Sequence, residues 1–78
     1  MTKPGPAARL RLGNRLKVAR AEKGLLQEEL AALAGVTRQT ISSIETGQYG
    51  PSALLALVLA HTLGKRVEDL FFLVEEKP

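Results

Sequence analysis

The sequence contains no cysteine, no tryptophan and a single histidine, His61. Without thiols there is no disulfide and no thiolate metal site. One imidazole cannot build a multi-histidine metal centre either. Aromatic residues make up only 4% of the chain, too few for the stacking platforms that hold single strands and RNA. No apolar run is long enough to cross a bilayer. Met1–Ala8 lacks the apolar stretch of a signal peptide, so the expected compartment is the cytoplasm. His61 can be joined on paper with Ser42 or Ser43 and Asp69 into a triad. No nucleophile elbow and no glycine-rich oxyanion segment would position it. No catalytic site, metal or cofactor is expected.

What is present is a chain of 78 residues with a 45% hydrophobic fraction, one small domain at most. Such a domain has a small core and commonly relies on a partner subunit. No separate ligand-sensing domain is expected at this length. The net charge of +3 leans mildly toward a polyanionic partner. The charge is uneven. Lys3, Arg9, Arg11, Arg15, Lys17, Arg20 and Lys23 crowd the first 23 residues, whereas Glu68, Asp69, Glu75 and Glu76 fall in the last twelve. Phosphate attracts the first group and repels the second. The expected organisation is a flexible tail over 1–8, a folded domain over 9–74 and an acidic tail over 75–78.

Leucine and alanine supply most of the apolar content, and glycines punctuate it at Gly13, Gly24, Gly35, Gly47, Gly50 and Gly64. The pattern reads as a series of short helices. The first is expected from an Asn14 N-cap to Gly24, with Ala7–Leu12 as a backward extension. The second spans Gln27–Ala34, and the third runs from a Thr37 cap to just before Gly47. Tyr49-Gly50-Pro51 is a turn, with Tyr49 packed over it. Ser52 then caps a fourth helix that stops at Gly64. A fifth covers Val67–Leu70. Phe71–Val74 is compatible with either a helix end or a short strand.

The strongest signal is QEELAALAGVTRQTISSIETG, residues 27–47. Small Ala31 lets a following helix cross closely, Gly35 permits a backbone conformation that costs other residues energy, and Leu30, Val36, Ile41 and Ile44 fill the wedge. This is the requirement of a helix-turn-helix, whose second helix enters the DNA major groove. At 100° per residue Thr37, Ile41, Ile44 and Glu45 share one face of the third helix. Arg38, Gln39, Ser42, Ser43 and Thr46 lie on the other, with Thr40 at its edge. Arg suits guanine, Gln suits adenine and Ser suits either, so Arg38, Gln39, Ser42 and Ser43 are the candidate base contacts. Glu45 falls on the apolar face, where an unpaired carboxylate is costly. Arg20 on the first helix is its expected bidentate partner.

At these residues the chain resembles the Cro/CI-type helix-turn-helix regulators, the XRE family of bacteria, archaea and phages. The carriers are Asn14-Arg15-Leu16-Lys17, Arg20, Lys23-Gly24-Leu25, QEELA, AGVTRQTIS, IETG, Pro51-Ser52 and Val67–Phe71. The resemblance implies an all-α, five-helix, lambda-repressor-like DNA-binding domain that binds operators as a homodimer. It implies an Arg20–Glu45 pair and base reading at Arg38, Gln39 and Ser43. It also implies backbone phosphate contacts at or near Gln27, Thr37, Thr40, Thr46 and Gln48. The basic first segment adds Arg15 and Lys17, with Arg11, as cations for the backbone.

Three departures stand out. Leu26 replaces the usual Ser or Thr cap of the second helix, and Arg66 replaces that of the fifth. The fourth helix is apolar nearly all round, unlike an ordinary surface helix. Its outer residues Leu54, Val58 and His61, with Leu57 beside them, and the segment Phe71, Phe72, Leu73 and Val74 form the expected dimer surface. The leading reading is a sequence-specific double-stranded DNA-binding regulator, most simply a repressor. The alternative is a protein–protein module, such as an antitoxin or accessory factor, with DNA binding secondary.

Overall fold

The computed structural model describes residues 9–76; the tail expected over 1–8 and the last two residues lie outside the described span. The order is β1 (Leu10–Asn14), α1 (Leu16–Glu22), α2 (Gln27–Ala34), α3 (Arg38–Glu45), α4 (Ala53–Leu63), α5 (Val67–Leu70) and β2 (Phe71–Glu75). The five helices are those expected. The two strands form an antiparallel sheet in register from Leu10 opposite Glu75 to Asn14 opposite Phe71. The described chain is mostly helical, with one short two-stranded sheet that makes Phe71–Val74 a strand rather than a helix end. Among the described residues no helix is long and apolar enough to cross a membrane.

Local chemistry accounts for the helix ends. Thr37 Oγ1 accepts from the Thr40 amide at 3.2 Å, and Ser52 Oγ from that of Leu55 at 3.1 Å. Each satisfies an amide that the first helical turn leaves unpaired. Leu26 offers no acceptor to α2, but the Glu29 carboxylate reaches back to the Leu26 amide at 2.7 Å, which is half of a capping box. Arg66 makes no side-chain cap on α5 and pairs instead with Glu68. Gly35 closes α2 at φ 74°, a left-handed conformation that a side chain would disfavour.

The core lies where α1, α2, α3 and α4 meet. Leu16, Leu30, Ile41, Leu59 and Leu63 are fully buried there, and Ala31 and Ala60 let the helices approach closely. Leu70 and Phe71 close it from the α5–β2 corner. Phe71 thus belongs to the chain's own core, and β1 covers β2 from the same chain. This corrects the expectation that residues 71–74 as a whole await a partner.

A second correction concerns residues 10–14. They do not extend α1 backward, because their backbone pairs with β2, from Leu10 opposite Glu75 to Asn14 opposite Phe71. Arg15, not Asn14, holds the N-cap position of α1, and Asn14 Oδ1 accepts the Leu16 amide at 3.1 Å from one residue further back. Gly13 is no helix stop. A Cβ there would come within 2.6 Å of both Phe72 Cε1 and Val74 Cγ2, so these side chains pack directly across its backbone.

Candidate nucleic-acid interface

The turn Gly35–Thr37 sets α3 across α2, with Ile41 and Ile44 buried beneath it. That burial forces the opposite face outward. Arg38 and Gln39 are exposed, and Ser42 and Ser43 are half-buried. Gln39 Nε2 donates to Ser43 Oγ at 3.3 Å, which aligns the two side chains along the helix surface. Thr37 and Thr40 share a hydroxyl contact of 3.1 Å at the N-terminal end. At the other end the Thr46 hydroxyl donates to the Ser42 carbonyl at 3.1 Å, and the Gln48 amide donates to the Ser43 carbonyl at 2.9 Å. The segment Thr46–Gln48 is thereby folded against the last turn of α3.

The orientation of α3 is fixed by a charged cluster. Arg20 Nε donates to Glu45 Oε2 at 2.7 Å and Arg20 Nη2 to Oε1 at 3.2 Å, a bidentate geometry. The two side chains are only 13% and 4% exposed. Arg20 Nη1 also donates to the Leu25 carbonyl at 2.8 Å. Arg20's hydrogen bond to the Glu45 carboxylate is the main influence that raises its pKa above the ordinary value, with burial opposing it. The guanidinium is charged throughout the accessible pH range. Gln27 Nε2 gives Glu45 Oε1 a further hydrogen bond at 3.0 Å. A residue expected at phosphate alone therefore also ties α2 to α3. Arg20, Gln27, Glu28 and Arg38 border one groove of about 320 Å³ where the starts of α2 and α3 converge.

The other expected residues are spread more widely. Arg15, just before α1, sets its guanidinium 4.7 Å from the Phe72 ring centroid, a cation–π contact that links α1 to β2. Lys17 is exposed. On α4, Leu54 and His61 are exposed and Val58 is half-buried. Leu73 is 68% exposed and Leu12, its cross-strand partner, 41%. Phe72 and Val74 lie on the other face of the sheet, beside Glu45–Gly47, and so share no surface with Leu73. Tyr49 is largely exposed and borders a groove with Leu12 and Gly50.

Sequence reading placed Asn14 at the start of α1 but missed its bond to α3. Its Nδ2 donates to the Ile44 carbonyl at 3.0 Å and fastens β1 to the last turn of α3. An asparagine preceding a helix signals a cap, and nothing local signals this second bond.

Two packed helices joined by a glycine-containing turn, the second presenting a polar face over a buried apolar one, define a helix-turn-helix protein. Residues 16–70 match the helix-turn-helix family. The chain is 48% identical over 63 residues to YgzD of Bacillus subtilis, an uncharacterized HTH-type transcriptional regulator, covering 81% of this chain and 96% of that one. It is 53% identical over 58 residues to another such regulator, from Methanothermobacter thermautotrophicus, covering 73% and 84%. Among solved structures it resembles the restriction-modification controller protein C.AhdI of Aeromonas hydrophila. There the TM-score is 0.67 at 38% identity, over 70% of this chain and 83% of that one. It also resembles the clp gene regulator ClgR of Corynebacterium glutamicum, with a TM-score of 0.66 at 35% identity, over 69% and 57%. The chain belongs to the XRE family of helix-turn-helix transcriptional regulators, and its helix-turn-helix is a DNA-binding domain. The family match begins after β1 and ends before β2.

Proposed function

We propose that this chain is a homodimeric, sequence-specific repressor that reads the DNA major groove with α3. The outward face of α3 carries this reading. Arg38, Gln39, Ser42 and Ser43 stand on a helix whose other side is locked by Ile41, Ile44 and the Arg20–Glu45 pair. A rigid helix presenting two long donors and two hydroxyls is suited to base edges. Gln27, Thr37, Thr40, Thr46 and Gln48 lie at the two ends of that face and supply backbone contacts, with Arg15 just before α1 and Lys17 on it adding positive charge. Repression then follows from occupancy of the operator.

One such helix reads few base pairs, so two copies are needed for a genomic site. Leu54, which is 73% exposed, and Leu57, 57% exposed, with Val58 and His61, give α4 an apolar outer surface. A protein normally covers such a surface, and a second copy covers both at once. The test is enrichment from a random duplex pool followed by gel shift. A palindromic consensus that Arg38→Ala weakens supports the proposal. Absence of enrichment, or equal retention of every sequence, refutes it.

A further inference from the structure

We infer that Arg11 is a second DNA contact, made by the strand ribbon to backbone phosphate, and that Glu76 of the same chain competes for it. The inference rests on the DNA-binding reading of α3.

The ribbon is fastened to α3. Asn14 Nδ2 holds the Ile44 carbonyl at 3.0 Å, and Arg11 is carried on the same strand. Arg11, Gly13, Phe72 and Val74 face the segment Glu45–Gly47 across an open groove of about 290 Å³. Arg11 also borders the neighbouring groove of about 280 Å³ beside Gly47, Tyr49 and Gly50. A DNA strand that passes Thr46 and Gln48 at the end of α3 therefore runs beside this cation. Gly13 adds no side chain of its own to the groove floor.

Arg11 is suited to exchange partners. Its side chain is 57% exposed, and Glu76, 61% exposed, stands at 3.6 Å, beyond hydrogen-bond length. Arg20 is committed to Glu45 at 2.7 Å by contrast, and Arg66 to Glu68 at 2.8 Å. The Arg11–Glu76 attraction is Coulombic and screened, so a phosphate can replace the carboxylate. Alternation along the ribbon puts Arg11, Val74 and Glu76 on one face and Glu75 on the other. An acid one residue away thus serves as an internal control.

The experiment measures binding to a mixed-sequence duplex and to a duplex enriched from a random pool, each across a salt titration. The proteins are wild type, Arg11→Ala, Glu76→Gln, Glu75→Gln and the Arg11→Ala/Glu76→Gln double variant. Circular dichroism and melting verify that each is folded. Arg11→Ala should shallow the log–log salt slope by about one unit on both duplexes. Glu76→Gln should tighten binding about two- to fivefold, as expected from releasing one exposed ion pair. Glu75→Gln should give less, and the gain should vanish in the double variant. An unchanged slope in Arg11→Ala overturns the contact. A Glu76→Gln gain that persists without Arg11, or that Glu75→Gln equals, overturns the competition. Failure of α3 as the reader shows separately, because Arg38→Ala would then bind the enriched duplex as wild type does.

Discussion

Asn14 and Ile44, thirty residues apart in sequence, are joined by a 3.0 Å hydrogen bond from the Asn14 amide to the Ile44 carbonyl. The same asparagine accepts the Leu16 amide at the start of α1 through its oxygen. One side chain therefore sets the start of α1, the position of β1 and the last turn of α3. Asn14→Ala should cost about 1–3 kcal/mol, because it leaves the Ile44 carbonyl and the Leu16 amide without these partners. Denaturant melts of the two proteins measure it; a change under 0.5 kcal/mol would show that water replaces both bonds.

The Arg20–Glu45 pair should matter more. Glu45 is nearly buried, so removing its partner leaves a charge that solvent barely reaches. Arg20→Ala should destabilise the fold by about 3–5 kcal/mol. Gln27→Ala removes only one neutral donor to the same carboxylate and should cost about 1.5–3 kcal/mol. The ranking of the two by thermal melting is the test, and a reversed ranking would place the main support of Glu45 on α2.

Base reading predicts a loss of preference as well as affinity. Arg38→Ala or Gln39→Ala should cost about 1–3 kcal/mol on the enriched duplex and relax the consensus at one position. Repeating the pool selection with each variant checks this. Uniform weakening on every sequence would move the residue to the phosphate class.

Gly13→Ala should destabilise by about 1–3 kcal/mol, since its Cβ would overlap Phe72 and Val74 and force them off the strand. Because Phe72 also carries the Arg15 contact, the ribbon and the start of α1 should loosen together. Amide exchange over residues 10–16 reports it, and unchanged protection there contradicts the packing described.

The dimer surface is tested by Leu54→Glu with Leu57→Glu. Light scattering should give twice the chain mass for wild type and the single mass for the variant. A wild-type monomer at micromolar concentration removes the interface.

The helices were legible because their signals are local. Thr37 and Ser52 precede apolar periods as caps, and Gly35 and Gly64 follow them as left-handed stops. The polar face of α3 could be read from the helical period alone. The partner of Glu45 was inferable because a carboxylate on an apolar face requires a cation, and Arg20 was the cation on the helix that must cover it.

The five helices, the turn between α2 and α3 and the residues that α3 turns outward follow from local signals in the chain. Each depends on interactions within a few positions of the chain. Long-range packing, by contrast, makes Leu10–Asn14 a strand, buries Phe71 while Leu73 faces solvent, and brings Gln27 to Glu45. Strand pairing requires two segments to meet in one register. Arg9–Leu12 alternates basic and apolar residues, but so short an alternation fixes no register until Phe71–Glu75 folds back beside it.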